Sequence, residues 1–125
     1  MDLERAARDL LRDCGFTCEF YVPDPAPTYL VTVKRSARPG SSRFEGRAMI
    51  TLQAWADTRG KAGVLCCNAV DALIGRGDYE DMGGMAAAYA DVVECNPENG
   101  PYRWDDPDTN DRYRWQATVS VDYNN

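Results

Sequence analysis

The clearest hydrophobic pattern in the chain is a strand that leads directly into a helix. Over residues 48–56, apolar side chains alternate with a second, mixed row, and this period of two predicts a strand with one buried face. The buried row consists of Ala48, Ile50, Leu52, Ala54 and Ala56. Asp57 or Thr58 is placed to cap the following helix, and Gly75 with Gly77 is placed to end it.

The predicted helix is more apolar than a helix with one buried stripe. Its apolar positions are Ala62, Val64, Leu65, Cys66, Cys67, Ala69, Val70, Leu73 and Ile74. Only Lys61, Asn68 and Asp71 form a clearly polar edge, so the apolar face is much wider than a stripe. We therefore expect its own sheet to cover one side of the helix, and a further element or another subunit to cover a second side.

One other segment shows a helical pattern, and four others show strand patterns. Residues 2–14 repeat apolar side chains at three- and four-residue steps, which predicts a helix. The strand patterns cover residues 17–22, 28–35, 89–95 and 112–123. This order of elements predicts an α+β fold, in which two main helices pack on one face of a mostly antiparallel sheet of four to five strands. A length of 125 residues suits a single domain over residues 1–125.

A long loop, residues 36–47, separates the second predicted strand from the third. Glycine and serine lie at its centre, and three arginines surround a lone phenylalanine. In an isolated subunit this composition favours a solvated, mobile hairpin tip. In an assembly, the same arm can order against a neighbouring subunit, with the aromatic ring as anchor and the cations facing acidic surface. The residues of this interface hypothesis are Arg38, Arg43, Phe44 and Arg47.

A second long loop, residues 96–111, is rich in Pro, Gly, Asn and Asp. It contains Tyr102 and Trp104. Two aromatic side chains in a loop indicate that the loop docks onto its own domain or onto a partner. Trp104 therefore joins the interface hypothesis.

The charge of the chain is unevenly distributed around a net charge of −6. Residues 1–60 hold nine Lys and Arg against eight Asp and Glu, whereas residues 61–125 hold five against twelve. The acidic excess therefore belongs to the second half. This balance argues against nucleic acid or an anionic membrane as a tightly bound partner, because phosphate contacts need clustered cations.

The side chains offer little for catalysis or for metal binding. The chain has no histidine, which removes the commonest general base and the commonest metal ligand. Structural zinc usually needs two close cysteine pairs, and the spacing of the available thiols favours core packing instead. The four candidate thiols are Cys14, Cys18, Cys66 and Cys67.

The second loop also carries an acidic cluster. Its members are Asp105, Asp106, Asp108 and Asp111. The cluster lacks the glycine and the glutamate that a helix-loop-helix calcium site needs at fixed positions, so a solvated turn is the better interpretation. A carboxylate-based enzyme that uses Asp105 and Asp106 is the remaining catalytic alternative. We expect neither enzyme activity nor a cofactor.

The N-terminal residues favour a cytoplasmic, soluble protein. They begin with acidic side chains and lack the basic start and apolar run of a secretory signal. The longest uncharged apolar stretch, residues 82–90, is far shorter than the roughly 18 residues needed to span a bilayer. Five cysteines, an odd number, fit buried thiols in a reducing compartment better than a disulfide framework.

Three segments together resemble the tail terminator proteins of long-tailed bacteriophages. The first is the strand-to-helix segment ITLQAWADTRGKAGVLCCNAVDALIG, which looks like the family's strand ending in Trp and a small or polar residue before an alanine-rich helix. The second is the arginine- and glycine-bearing loop that precedes this strand. The third is the terminal strand DRYRWQATVSVDY, which follows a turn rich in Pro and Asp.

The resemblance implies an α/β subunit that assembles into a ring, typically of six, at the head-proximal end of a phage tail. Such a ring stops the addition of tail tube protein and joins the tail to the head connector protein, and DNA passes through its lumen without specific binding. The implied location is the virion, after assembly in the host cytoplasm. The family has no catalytic residues to carry over. Because the second half of this chain is acidic, we further hypothesise that Asp105, Asp106 and Asp108 line the lumen, where like charge keeps DNA from sticking.

Two alternatives to this function remain open. Another neck or head-completion protein of a phage shares the small α+β architecture and differs in the geometry of its oligomer. A soluble adaptor module unrelated to virions would be a stable monomer with an open groove.

Overall fold

The computed structural model describes residues 2–37, 45–104 and 112–124. In these ranges the chain forms a five-stranded sheet in the order β1-β2-β3-β5-β4, with three α-helices and one 3-10 helix. The helical elements are α1 (Leu3–Asp13), α2 (Arg59–Ile74), the 3-10 helix Gly77–Met82 and α3 (Gly84–Ala88). The strands are β1 (Cys18–Glu19), β2 (Leu30–Ala37), β3 (Glu45–Ala56), β4 (Val92–Arg103) and β5 (Tyr113–Asn124).

The sheet is mostly antiparallel. β3 pairs with both β2 and β5, and β5 pairs with β4, all in antiparallel register. The short β1 pairs with β2 in parallel. The two main helices pack on one face, where α2 contacts β3, β5 and β4, and α1 contacts β2. This architecture confirms the predicted α+β fold.

The hydrophobic core lies between the sheet and the helices. Ala48, Ile50 and Leu52 are fully buried, whereas Met49 and Thr51 between them are only partly covered, as the alternating pattern predicts. The same core receives Leu3, Ala7 and Leu11 from α1, Cys66, Ala69 and Leu73 from α2, and Val119 and Val121 from β5. β3 and α2 thus form the centre of the domain.

Both ends of α2 have specific stabilising features. Thr58, rather than Asp57, caps the start, because its Oγ1 accepts a hydrogen bond of 3.2 Å from the backbone N of Lys61. Gly75 ends the helix in the left-handed region, with a φ of 75°. Glycine suits this position, since a Cβ here would come within 2.5 Å of the backbone of Gly83. The helix therefore begins and ends where the sequence predicts.

The two predicted long loops are shorter in the structure. Residues 36–37 belong to β2 and residues 45–47 belong to β3, and the predicted mobility of the arm between them falls on residues outside the described ranges. β4 continues to Arg103, so the first half of the predicted loop 96–111 is a strand. Its register on β5 shifts at several points. Proline and asparagine at this irregular edge hide the strand pattern in the sequence.

Two smaller elements also differ from the prediction. The strand predicted over residues 17–22 is only Cys18–Glu19, and a proline-rich segment follows it. The glycine-rich connection after α2 contains the 3-10 helix and α3. Gly83 lies between them at positive φ, and Gly84, the first residue of α3, also has a positive φ. Within the described ranges, none of the helices is both long enough and apolar enough to cross a membrane.

Candidate functional site

Helix α2 is covered along only part of its outer side. Towards its C-terminal end, Ala69, Ala72 and Leu73 are all buried, and α1, α3 and the 3-10 helix contact the helix. In its N-terminal half, Val64 is 62% exposed and Cys67 is also exposed. The apolar surplus of the sequence is therefore covered at one end of α2 and open at the other.

Val64 forms a ridge between two grooves. The first groove, of about 360 Å³, is lined by Tyr29, Gly60, Lys61, Val64, Leu65 and Asn68. The second, of about 510 Å³, is lined by Gly60, Gly63, Val64, Cys67, Asn68 and Trp115. Lys61 is the only charged residue among these linings. We call the residues of the two grooves together the α2 surface.

A third cavity extends the α2 surface towards α1. It has a volume of about 350 Å³ and is lined by Cys14, Gly15, Phe16, Thr17, Tyr29, Leu30, Leu65 and Tyr79. It shares Tyr29 and Leu65 with the first groove. A small-molecule site usually gathers a few polar groups at one point. This cavity and the two grooves beside it are instead lined mostly by apolar side chains.

The indole ring of Trp115 borders the second groove and packs against α2 at Gly63. A Cβ at Gly63 would lie 3.0 Å from Cε2 of Trp115, so glycine permits the close approach of helix and ring. Nε1 of Trp115 is buried and has no hydrogen-bond partner among the described residues. Because an unpaired buried N–H costs free energy, apolar packing rather than a polar bond holds the ring in place.

The N-terminal end of α2 is basic. Arg59 and Lys61 lie in its first turn, which contains no acidic residue. Nζ of Lys61 lies 3.8 Å from Oδ1 of Asp57. The hydrogen bond with Tyr29 and the charge of Asp57 raise the pKa of Lys61, so this side chain stays cationic at neutral pH. The helix dipole is also positive at this end, so it does not favour cations there.

The segment that follows α2 has the opposite charge. The 3-10 helix Gly77–Met82 has no buried residue, and its acidic side chains are Asp78, Glu80 and Asp81. Nε of Arg76, just before it, donates a hydrogen bond of 3.0 Å to Oδ1 of Asp71. Met82, its last residue, is 48% exposed. The 3-10 helix is therefore an exposed acidic element with an apolar tip.

The cysteines differ in burial and in reactivity. Cys66 is buried, whereas its neighbour Cys67 is exposed on the α2 surface. Burial raises the pKa of Cys18, Cys66 and Cys95 to about 12, so these three thiols stay protonated and are poor nucleophiles. Across residues 2–37, 45–104 and 112–124, no three Cys, Asp or Glu side chains lie together as metal ligands would.

Two of the predicted interface residues fall in the described part of the chain. Arg47 lies in β3 rather than in an arm, and its Nε donates a hydrogen bond of 2.7 Å to Oδ1 of Asp122 on β5. The ring of Trp104 is 49% exposed and meets the ring of Tyr102 edge-on, with 5.9 Å between centroids. The role of Trp104 in an interface stays a prediction. The other predicted site residues lie outside the described ranges: Arg38, Arg43, Phe44, Asp105, Asp106 and Asp108.

The sequence pattern did not identify Val64 and Met82 as surface residues. Val64 lies three residues after Lys61 and four before Asn68, a spacing that places it beside the polar edge of the helix. This spacing was the signal in the sequence that could have indicated the exposure of Val64. Met82 had no comparable signal, because the 3-10 helix that carries it was not predicted.

A search of known protein families found no match to this chain, and a search of curated proteins found none either.

Proposed function

We propose that this chain is a structural virion protein that forms a hexameric ring at the head-proximal end of a phage tail tube. In this role it stops tube polymerisation and joins the tail to the head connector protein. The observation that carries the proposal is the α2 surface, an apolar helix flank that the single subunit leaves open. The likeness of three sequence segments to tail terminator proteins supports a ring at the end of a tail tube as the assembly.

An open apolar flank favours association between copies of the chain. Covering apolar surface stabilises a complex by roughly 25 cal/mol per Å², and Val64 lies between two grooves that a neighbouring side chain can fill. A contact between two different surfaces of the same chain repeats from copy to copy. It gives a closed ring when the rotation between copies divides a full turn.

The proposed role needs neither a cofactor nor a catalytic step. The partners are further copies of the chain, the tail tube protein and the head connector protein, and the place of action is the virion. DNA passes through the lumen without specific binding. The net charge of −6 supports this, because tight binding to phosphates needs clustered cations.

Electron microscopy and native mass spectrometry of the purified chain test the proposal. We expect closed rings with an open lumen for the wild-type chain. Val64→Asp should leave single subunits, because the new carboxylate would be desolvated in the contact. Val93→Asp is the matched control, since Val93 is 56% exposed on β4 and lies outside the α2 surface. A wild-type chain that remains a single subunit at every concentration, and also in the presence of its own tail tubes, would contradict the proposal.

A further inference from the structure

We infer that Arg112 and Arg114, together with Trp55, form a binding site for a single oxyanion, the carboxylate or phosphate group of a ligand. The inference concerns one subunit, so it goes beyond the proposed ring and does not depend on it. An excess of hydrogen-bond donors without an anionic partner carries the inference.

The indole ring of Trp55 brings the two arginines to one place. Trp55 on β3 lies directly opposite Arg114 on β5, and Cζ of Arg114 is 4.8 Å from the centroid of the ring. Cζ of Arg112, two residues earlier in the chain, is 5.4 Å from the same centroid. A guanidinium group over an aromatic face is held there by the electrostatics of the ring. One ring therefore holds two cations at the same end of the sheet.

Each guanidinium group is also fixed by a hydrogen bond to a backbone carbonyl. Nη2 of Arg112 donates to the O of Pro27, and Nε of Arg114 donates to the O of Trp104, both over 2.8 Å. A guanidinium group carries five N–H donors in a rigid fork that matches a carboxylate or a phosphate. Most donors of the two arginines therefore have no acceptor among the described residues, although the side chains are already oriented.

The charges of the two arginines are not compensated by a carboxylate. In the described part of the chain neither belongs to an ion pair, whereas Arg12 and Arg76 each pair with a carboxylate. Burial lowers the pKa of Arg112, because the surrounding protein removes water from its guanidinium group. Two neighbouring cations also repel each other. A bound oxyanion would offset both the lost hydration and the repulsion.

Trp55 adds a third kind of donor to the site. The residue is 6% exposed, and its Nε1 is buried without a hydrogen-bond partner among the residues that the structure describes. An unpaired buried N–H costs free energy. Ionised carboxylates and phosphates only accept hydrogen bonds, so they suit a place where donors are in excess.

A small cavity beside Arg112 gives an oxyanion room. It has a volume of about 210 Å³, and Pro27, Thr28 and Asp57 also line it. The carboxylate of Asp57 would repel an anion there, but Nζ of Lys61 lies 3.8 Å from its Oδ1 and reduces this repulsion. The small volume and the net charge of −6 favour one oxyanion group over a polyanion such as nucleic acid.

Nuclear magnetic resonance of the full ¹⁵N-labelled chain tests the inference. Inorganic phosphate and succinate are the two probes, and sodium chloride keeps the ionic strength constant. We expect the indole N–H signal of Trp55 and the Nε–H signals of Arg112 and Arg114 to shift until the site is saturated. Trp115 is the internal control, because its Nε1 is also buried and unpaired while its ring packs against α2 at Gly63. Its indole signal should not move.

Four variants separate this site from general charge effects. Arg112→Gln and Arg114→Gln should each weaken binding by about tenfold or more, because each removes charged donors. Asp57→Asn should tighten binding, because it removes the repelling carboxylate. Arg5→Gln changes an exposed cation on α1 and should bind like the wild type. Circular dichroism checks that all four variants are folded.

Each outcome decides the inference without touching the ring. Saturation by phosphate alone assigns the site to a phosphate-bearing ligand, and saturation by succinate alone assigns it to a carboxylate. If neither probe saturates, if chloride alone produces the same shifts, or if both arginine variants bind like the wild type, the inference is wrong. The proposed ring is tested separately by the copy number of the assembly.

Discussion

The carboxylate of Glu4 accepts a hydrogen bond of 2.9 Å from the backbone N–H of Arg35. This contact joins α1 to the outer edge of β2, beyond the short β1, which pairs only with Val31 and Thr32. An open edge strand is a template for pairing with another chain. Helix α1 therefore closes part of one sheet edge that would otherwise be available for strand addition.

The opposite edge of the sheet is also unsuited to strand addition. β4 carries Pro97 and Pro101, and its register on β5 shifts between Val92 and Tyr102. Proline removes a backbone donor, and bulges twist an edge strand away from a new partner. For the proposed ring, side-chain contacts through the α2 surface are therefore a better route to association than strand addition.

Replacing Glu4 with alanine should destabilise the subunit. The change leaves the backbone N–H of Arg35 without its acceptor, and we expect the free energy of unfolding to fall by about 1–2 kcal/mol. Glu4→Gln keeps an acceptor oxygen and should lose much less. Urea denaturation followed by circular dichroism measures both variants. Equal stability of wild type and Glu4→Ala would show that water replaces the carboxylate without loss.

The central strands were predictable because their pattern is local. Residues 48–56 and 112–123 alternate apolar and polar side chains, and they form most of β3 and β5. The second half of β4 was missed because it lies at a sheet edge and is exposed on both faces, so no alternation marks it. Its prolines also favour a loop interpretation.

The candidate site was predictable only in part. The apolar excess of α2 is visible in the sequence, and so are Val64 and Cys67 as members of it. Which side of the helix stays open depends on α1 and α3, which come from distant parts of the chain. That information arises from tertiary packing, and no local pattern contains it.

Gly60 and Gly63 form a matched pair for testing the contact between α2 and Trp115. A Cβ at Gly60 meets nothing within 4 Å, whereas a Cβ at Gly63 lies 3.0 Å from Cε2 of Trp115. Alanine favours a helix over glycine by roughly 0.5–1 kcal/mol, so Gly60→Ala should stabilise the subunit. Gly63→Ala must also displace a packed indole ring, and should be less stable than Gly60→Ala by about 1 kcal/mol or more. Thermal unfolding of dilute protein measures the difference, and equal stabilisation by both changes would show that the ring moves freely.

Alkaline pH should destabilise the subunit through its buried thiols. Burial raises the pKa of Cys66 from 9.0 to about 12. The unfolded chain therefore loses this proton near pH 9, while the folded chain keeps it. The contribution of Cys66 to the free energy of unfolding is fully present below pH 9 and is lost as the pH rises towards 12. Cys66→Ala should make the fall in the free energy of unfolding shallower by up to about 1.4 kcal/mol per pH unit. Urea titrations across this range measure the slope, and an unchanged slope would contradict the shifted pKa.

The interface hypothesis for the arm stays a prediction of the sequence. Replacing Arg38, Arg43 and Phe44 with serine should weaken association by about tenfold or more, because an aromatic anchor with neighbouring arginines is typical of interface hot spots. Arg47 is left unchanged in this variant, since it is bonded to Asp122 within the sheet. Sedimentation velocity measures the effect, and circular dichroism checks the fold. Association equal to that of the wild type would remove the arm from the interface.

Cys67 gives a chemical probe of the assembled state. Its thiol is exposed in the single subunit and borders the second groove beside Val64, so iodoacetamide should modify it readily in dilute protein. A ring built through the α2 surface covers this thiol, and the modification rate should then fall as the protein concentration rises. Peptide mass mapping identifies the labelled peptide. Cys66 and Cys95 should react little, because both thiols are buried and stay protonated. Val64→Asp, expected to remain a single subunit, should react at one rate throughout. If rings form while Cys67 of the wild type also reacts at one rate, the contact lies on another face.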